Sequence, residues 1–268
     1  MDASVDGISL HYELSGDTGP LVVLTHGLGG RLAFYEPHVQ ALARRYRVLR
    51  WDLRGAGSSA KPPGPYSPSL FARDLAGLLD ALGEPSAHIV GHSGGGVVAQ
   101  RFALDHPERA SSLVLVSTSS EVGPQAGAAW NRLADTIEQR GFGPSDRDPD
   151  PRGFGPAFAT AHPEVVRAFA AQIRENDPRA YAATARAFGS FDFTAELAAL
   201  RTPTLILQGL ADQLTPPGGS VILSRRLSRS RLVMVPDAGH NLPIEMPALF
   251  TTAILAFLGG LELAVARR

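Results

Sequence analysis

The distribution of hydrophobic positions predicts alternating strands and helices towards both ends of the chain. Short apolar runs rich in β-branched residues are typical of buried strands, whereas apolar positions at helical spacing indicate helices. Strands are predicted at residues 8–14, 21–25, 46–51, 88–90, 113–116, 204–207 and 231–235. The predicted helices cover residues 33–45, 68–82, 94–105, 218–227 and 247–258. This alternation predicts an α/β fold with a mostly parallel sheet and helices on both faces.

The pattern changes between residues 120 and 200, where only helical segments are predicted. These segments cover residues 128–140, 163–174 and 178–188. The stretch at residues 141–156 is rich in glycine and proline, which predicts a mobile loop. We therefore expect a helical cap at residues 120–200, inserted into a core domain formed by residues 1–119 and 201–268.

The charge balance and the lack of cysteine exclude several classes of function. The 268 residues include 25 Lys and Arg against 26 Asp and Glu, so the chain lacks the basic excess that is typical of nucleic-acid binding. Without cysteine there is no disulfide, thiolate nucleophile or Cys-ligated metal. We expect no metal ion and no other cofactor, and any covalent chemistry must use another side chain.

No stretch of the sequence predicts a membrane segment. The acidic, turn-rich residues 1–7 differ from the cationic and then apolar start of a secretory signal. The longest late apolar stretch, residues 253–261, is shorter than the roughly 18 residues of a transmembrane helix. We therefore expect a cytoplasmic protein without a membrane partner, and the sequence leaves open whether it is a monomer or a homodimer.

A candidate nucleophile lies in the motif Gly-His-Ser-Gly-Gly-Gly at residues 91–96, which joins a predicted strand to a predicted helix. A serine on such a sharp turn needs small neighbours, because its strained backbone brings adjacent elements close and exposes Oγ. Gly91 and Gly95 provide that space. The motif alone also fits a glycine-rich turn with a surface serine, so the role of Ser93 depends on a matching acid and base.

Candidates for the acid and the base follow two later strands. Asp212 comes after the predicted strand that ends at residue 207, and His240 comes after the one that ends at residue 235. Because the C-terminal ends of parallel strands meet at one edge of the sheet, both side chains can approach Ser93 there. Asp237 is a second candidate for the acid, although a loop aspartate is more often a turn former. His92 adjoins the nucleophile but should point elsewhere.

A glycine-rich loop after the strand at residues 21–25 predicts an oxyanion hole. Residues 26–30 read His-Gly-Leu-Gly-Gly, which would let Leu28 N–H face Ser93, with Gly94 N–H as the second donor. Residues 55–60 superficially match a dinucleotide-binding motif, but the two prolines that follow Lys61 prevent the helix that this motif needs.

Together these motifs resemble the α/β-hydrolase family with a helical cap, over nearly the whole chain. The resemblance implies an eight-stranded, mostly parallel sheet. It also implies roles for five residues: Ser93 as nucleophile, Asp212 as acid, His240 as base, and the backbone N–H groups of Leu28 and Gly94 as the oxyanion hole.

Within this family, residues 51–100 are most similar to 3-oxoadipate enol-lactonases and related carboxylesterases. These enzymes often carry Met or Leu where this chain has Gly94. Dehalogenases and epoxide hydrolases of the same fold use Asp at the elbow, so Ser93 disfavours both.

The resemblance predicts a serine hydrolase that cleaves a small carboxylic ester or lactone. Two alternatives remain open: a carbon–carbon bond hydrolase or perhydrolase with the same triad, and a sensor that mainly binds a ligand. Cap aromatics and loops at the C-terminal edge of the sheet should contact the substrate, and Arg31 would pair with a substrate carboxylate. The candidate substrate-binding residues are Leu28, Arg31, Trp130, Phe142, Phe154, Phe158, Phe188, Phe191, Leu214 and Leu242.

Overall fold

A single sheet of eight strands forms the centre of the computed structural model, which describes residues 1–143 and 151–266. Its strand order is β1-β2-β4-β3-β5-β6-β7-β8, and β2 is antiparallel to both of its neighbours while the other pairs are parallel. The strands are Asp2–Val5 (β1), Ile8–Ser15 (β2), Leu21–Thr25 (β3), Arg47–Trp51 (β4), Ala87–His92 (β5), Ala110–Val116 (β6), Thr204–Gly209 (β7) and Ser230–Val235 (β8). The predicted α/β fold class is confirmed.

Helices cover both faces of this sheet. The α-helices are Glu36–Leu42 (α1), Pro68–Ala81 (α2), Gly94–Asp105 (α3), Pro124–Arg140 (α4), Pro156–Ala161 (α5), Pro163–Ile173 (α6), Pro178–Phe188 (α7), Pro217–Arg226 (α8), Leu242–Glu245 (α9) and Pro247–Ala266 (α10). Successive residues of a central strand enter opposite cores: Val23 packs with Ile89 in one cluster, whereas Val22 packs with Val90 in the other. This explains why the central strands are apolar without alternation.

The described residues between β6 and β7 form helices α4 to α7, which we call the cap. Helices α4 and α7 pack through small residues, with Ala134 of α4 against Ala182 and Ala185 of α7. The prediction of a loop at residues 141–156 is partly wrong. A short 3₁₀ helix covers Pro151–Gly153, and α5 begins at Pro156, the last residue of the predicted loop. Residues 144–150 of that stretch lie outside the described part of the chain. The domain boundaries at 120 and 200 stay a prediction.

The last helix is longer than the sequence pattern predicts. α10 continues past Glu262 to Ala266, and its segment Pro247–Ala264 is long and apolar enough to span a membrane, with a mean hydropathy of 1.6. The expectation that no stretch of the chain reaches this length is therefore wrong. One side of the helix packs on the sheet through Phe250, Ile254 and Leu258, which are fully buried. The apolar residues on that side of α10 are therefore part of the hydrophobic core.

Candidate active site

Ser93 lies on a strained turn between β5 and α3. Its backbone has φ 54° and ψ −120°, a left-handed conformation that is rare for any residue except glycine. A Cβ atom at Gly91 would overlap the carbonyl oxygen of Gly95, and one at Gly95 would overlap that of Thr25. The backbone around these two glycines therefore leaves no room for a side chain, as the sequence motif predicts. Thr118 Oγ1 supports the turn by donating a hydrogen bond of 2.9 Å to Ser93 O.

Asp212 and His240 meet at the C-terminal edge of the sheet. His240 Nδ1 lies 3.0 Å from Asp212 Oδ2, so Nδ1–H donates to the carboxylate and leaves Nε2 to accept a proton. Within the described residues no hydrogen bond uses His240 Nε2 or Ser93 Oγ, and both residues line the same cavity. The imidazole is therefore oriented for use as a general base.

The loop around Asp212 keeps its carboxylate ionised. Burial opposes ionisation, but hydrogen bonds from His240 and Thr215 outweigh it and hold the pKa of Asp212 below its ordinary value. The backbone N–H groups of Leu214 and Thr215 each donate to Asp212 Oδ1 at 2.9 Å. Asp237, the second candidate, is exposed in a tight turn with φ 60°, away from this network. The geometry favours Asp212 as the acid.

The glycine-rich loop after β3 lies against the elbow. A Cβ atom at Gly27 would lie 2.9 Å from Ser93 Cβ and 3.3 Å from Gly94 N. Leu28 follows this contact and lines the cavity, and Gly94 N–H belongs to the first turn of α3, where a helix leaves its N–H groups without intrahelical partners. The two predicted oxyanion donors thus flank the place where Ser93 enters the cavity.

A buried histidine holds this loop in shape. His26 Nδ1–H donates to Gly27 O at 2.8 Å, and its Nε2 accepts from Leu53 N–H at 3.2 Å. This pairing requires the neutral ring, and burial lowers the pKa of His26 accordingly. The sequence motif indicates the glycines of the loop but not this role for His26.

His92 connects the turn that carries Ser93 to the backbone of His240. Its Nε2–H donates to the backbone carbonyl oxygen of His240 at 2.8 Å, and its ring stacks on Phe34 with a centroid distance of 4.9 Å. Burial, together with the nearby His240, lowers the pKa of His92 to about 3. His92 lines the same cavity as Ser93, and the sequence did not predict its hydrogen bond to the backbone of His240. We assign His92 a positioning role.

Activity should fall as the pH is lowered, because the proposed mechanism uses a histidine as the base. His240 must be neutral to accept the Ser93 proton, so protonation removes the base. His92, with a pKa lowered to about 3, and His38, lowered to about 4, both stay neutral between about pH 5 and 8 and add no further step. A profile of kcat/KM for an uncharged ester across that range checks this. Activity that rises as the pH falls would contradict it.

The cavity above Ser93 has a volume of about 490 Å³ and mostly apolar walls. Four of the predicted substrate-binding residues line it: Leu28, Trp130, Phe154 and Leu214. One wall comes from a helix that the prediction of substrate contacts overlooked, α6, whose apolar face contributes Val166, Phe169, Ala170 and Ile173. These four residues have the spacing of one face of an amphipathic helix. The sequence therefore predicts that this face is apolar, but it does not predict that the face lines the cavity.

Three predicted contacts lie outside the lining because they have partners on the cap surface. Arg31 forms an ion pair with Glu175, with 2.7 Å between Nη1 and Oε2, and faces a separate polar cleft. Phe142 packs edge-on against Tyr181, which does line the cavity. Phe158 stacks on Phe154 from behind. Each was expected to touch the substrate, but none of the three lines the cavity above Ser93.

Three further predicted contacts belong to the core. Phe188 is buried against Phe71, Phe191 packs on Phe193, and Leu242 is fully buried beneath the sheet edge. Phe188 also explains the glycine after Ser93, because a Cβ atom at Gly94 would overlap the Phe188 ring. A larger side chain at this position would require that ring of α7 to move.

A buried carboxylate joins the cap to the loop that carries His240. Glu245 Oε2 accepts hydrogen bonds from Gly155 N–H at 2.8 Å and Gly239 N–H at 2.9 Å. Burial raises the pKa of Glu245. No sequence signal distinguishes this glutamate, because its two partners are backbone groups from distant segments. In the described part of the chain, no group of His, Asp and Glu side chains could hold a metal ion.

Comparison with known proteins matches residues 20–247 to a family model described as alpha/beta hydrolase fold. A Variovorax paradoxus protein named as a carbamate hydrolase, RutD, is 36% identical over 93% of this chain and 96% of its own. The crystal structure of the enol-lactonase from Burkholderia xenovorans LB400 has a TM-score of 0.91 and 29% sequence identity. The match covers 97% of this chain and 100% of the lactonase chain. A malate-bound thermophilic esterase from Thermogutta terrifontis has a TM-score of 0.90 and 32% identity, covering 97% of this chain and 98% of its own.

Proposed function

The chain belongs to the alpha/beta hydrolase fold family, and from the geometry of its site we propose that it is a serine hydrolase that cleaves a small carboxylic ester or lactone in the cytoplasm. The observation that carries the proposal is the 3.0 Å hydrogen bond between His240 Nδ1 and the Asp212 carboxylate. His240 lines the same cavity as Ser93, which lies on the strained turn. In the proposed mechanism Ser93 is the nucleophile, His240 the general base and Asp212 the residue that orients and stabilises His240.

In the first half of the reaction, Ser93 Oγ attacks the carbonyl carbon while its proton passes to His240 Nε2. The carbonyl oxygen gains negative charge, which the N–H groups of Leu28 and Gly94 stabilise. When this intermediate collapses, His240 gives the proton to the leaving alkoxide and an acyl-enzyme remains. In the second half, His240 takes a proton from water while the water oxygen attacks the acyl carbon. Collapse of this second intermediate returns the proton to Ser93 Oγ and releases the free acid.

The walls of the cavity favour esters or lactones with an apolar body. A volume of about 490 Å³ suits a small molecule, and aromatic and aliphatic side chains form most of the lining. Carbamate hydrolysis is a second candidate, because relatives such as the Variovorax paradoxus protein are named for it and the same serine would form a carbamoyl-enzyme. The aromatic lining favours the ester or lactone.

The test is turnover of p-nitrophenyl acetate by the purified protein, followed by a panel of aliphatic esters, lactones, carbamates and vinylogous diketones. The proposal expects many turnovers per chain and the highest kcat/KM on an ester or lactone. A single burst without turnover would favour the ligand-binding sensor. A preference for the diketones would favour the carbon–carbon bond hydrolase.

Replacing Trp130 with alanine should change acyl-chain preference without changing the chemistry. The removed ring opens the cap side of the cavity, and relative kcat/KM between neighbouring acyl chain lengths should shift by roughly 10-fold or more, as for other methylene-scale changes in apolar pockets. The pH profile should stay in place, because the triad is untouched. Phe158→Ala is the matched control, since that ring lies behind Phe154 and should leave the preference unaltered. If both variants behave like the wild type, specificity lies in the core loops.

A further inference from the structure

The loop that carries Leu28 is a tight turn with its first carbonyl group held by two donors. Gly27 O accepts hydrogen bonds from Gly30 N–H at 3.1 Å and from His26 Nδ1–H at 2.8 Å, and Gly29 takes up φ 69° at the third position of the turn. Because N–H and C=O point in opposite directions across a trans peptide bond, Leu28 N–H points away from both donors. The direction of the predicted oxyanion donor thus depends on the conformation of this turn.

The cap holds the same turn through another carbonyl group. Gly29 O accepts hydrogen bonds from Gln172 Nε2 at 2.9 Å and from Asn176 Nδ2 at 3.0 Å. Gln172 lies in the last turn of α6, and Asn176 follows the helix and also donates to Ile173 O at 2.8 Å. Two side chains of the cap therefore bind one backbone carbonyl of the oxyanion loop.

The turn also packs directly against the cap. A Cβ atom at Gly29 would lie 3.0 Å from Tyr181 Cε2 and 3.3 Å from Ile173 Cγ1, so no side chain separates the turn from α6 and α7. Gln172 and Asn176 are half-buried, and hydrogen bonds that are partly shielded from water are stronger than exposed ones. The position of the turn is therefore coupled to the position of the cap.

From these contacts we propose that Gln172 and Asn176 are positioning residues for the oxyanion hole. By holding Gly29 O they fix the turn that presents Leu28 N–H, so the docked cap completes the oxyanion hole of the core domain. The inference rests on the proposed function, because an oxyanion hole acts only while a carbonyl oxygen gains negative charge. It gives the cap a part in the chemistry as well as in substrate choice.

A second link between the same segments provides a control. Arg31 Nη1 pairs with Glu175 Oε2 at 2.7 Å, but the two side chains are 43% and 61% exposed. Exposed ion pairs contribute little in water, so this pair should not fix the turn. A variant that lacks it separates a general loosening of the cap from the loss of the amide hydrogen bonds to Gly29.

The kinetic test removes both amides with side chains of similar size, in the variant Gln172→Met/Asn176→Leu. With p-nitrophenyl esters from acetate to hexanoate, kcat should fall roughly 10- to 100-fold for every ester and KM should change by less than about 2-fold, because the lost stabilisation acts only in the transition state. Either single variant should lose less, since the other amide still holds Gly29 O. Arg31→Gln should keep kcat within about 2-fold of the wild-type value.

Hydrogen exchange of backbone amides, followed by mass spectrometry, measures the turn itself. The peptide that covers residues 26–31 should exchange roughly 10-fold faster in the double variant, while the peptide that contains Ser93 should exchange as in the wild type. Circular dichroism and thermal unfolding confirm that the variant is folded before either comparison is made.

An unchanged kcat or an unchanged exchange rate in the double variant would each overturn the inference. A shift in acyl-chain preference without a uniform loss of kcat would also overturn it, because Gln172 and Asn176 would then act in substrate selection. If the wild type hydrolyses none of the esters, the proposed function fails instead, and the exchange rates still decide whether the two amides hold the turn.

Discussion

Replacing Ser93 with alanine should abolish turnover, with a loss in kcat on the order of 10⁶, the size measured for the nucleophile of another serine hydrolase. No thiol can substitute for it, because the chain has no cysteine, and Ser93 is the residue that the strained turn after β5 presents to the cavity. Initial rates with p-nitrophenyl acetate, corrected for spontaneous hydrolysis, provide the measurement.

The variant itself should fold normally, because alanine keeps the Cβ atom and Thr118 still donates to the backbone carbonyl of residue 93. Circular dichroism and thermal unfolding should therefore match the wild type. Ser119→Ala is a suitable control: this serine follows β6 nearby and its hydroxyl donates to Glu121 O, outside the cavity lining. Near-normal activity in Ser93→Ala would refute the assignment of the nucleophile.

Asp212→Asn should slow hydrolysis roughly 10⁴-fold with little effect on folding. The amide oxygen can still accept the N–H groups of Leu214 and Thr215, so the loop keeps its shape. The amide NH₂ would then face His240 Nδ1, which must become an acceptor and place its proton on Nε2. That tautomer cannot take the proton of Ser93. Single-turnover rates with a chromogenic ester measure the loss directly.

Asp237→Asn is the paired control for this variant. The side chain of Asp237 is exposed in a turn on the same loop as His240, so its charge can be removed without changing the hydrogen bond to the imidazole. Its kcat should remain within a few-fold of the wild-type value, about 2- to 3-fold, as for surface changes that leave the site unaltered. If Asp237→Asn loses activity and Asp212→Asn does not, the acid is Asp237.

The fold and the meeting of Asp212 and His240 at the cavity that contains Ser93 could be predicted from the sequence, because both depend on local signals. Apolar runs mark strands that are buried on both faces, and the glycines around Ser93 are required where backbones touch, as the overlap of a Cβ at Gly95 with Thr25 shows. The positions of Asp212 and His240 follow from the rule that parallel strands end at one edge.

The substrate contacts could not be predicted in the same way. An aromatic residue in a cap helix faces either the cavity or a neighbouring helix, and only the tertiary packing decides which. Trp130 and Phe188 illustrate this, because the first lines the cavity and the second fills the core above Gly94. The same limit applies to Arg31, whose contacts depend on which cleft its side chain enters.

Residues that act through backbone contacts also escaped prediction. Glu245 joins Gly155 and Gly239, and His92 holds the carbonyl of His240. A hydrogen bond to a backbone group places no demand on the partner's side chain, so no sequence motif records it.

The central claim is that Ser93 forms a covalent intermediate by means of the Asp212–His240 pair. Its most direct test is treatment of the purified protein with a fluorophosphonate, which loses fluoride when a serine nucleophile attacks phosphorus, followed by intact-mass measurement and peptide mapping. The wild type should gain one phosphonyl group, on the peptide that contains Ser93, and Ser93→Ala should gain none. No adduct on the wild type, or an adduct on another residue that Ser93→Ala retains, would contradict the account.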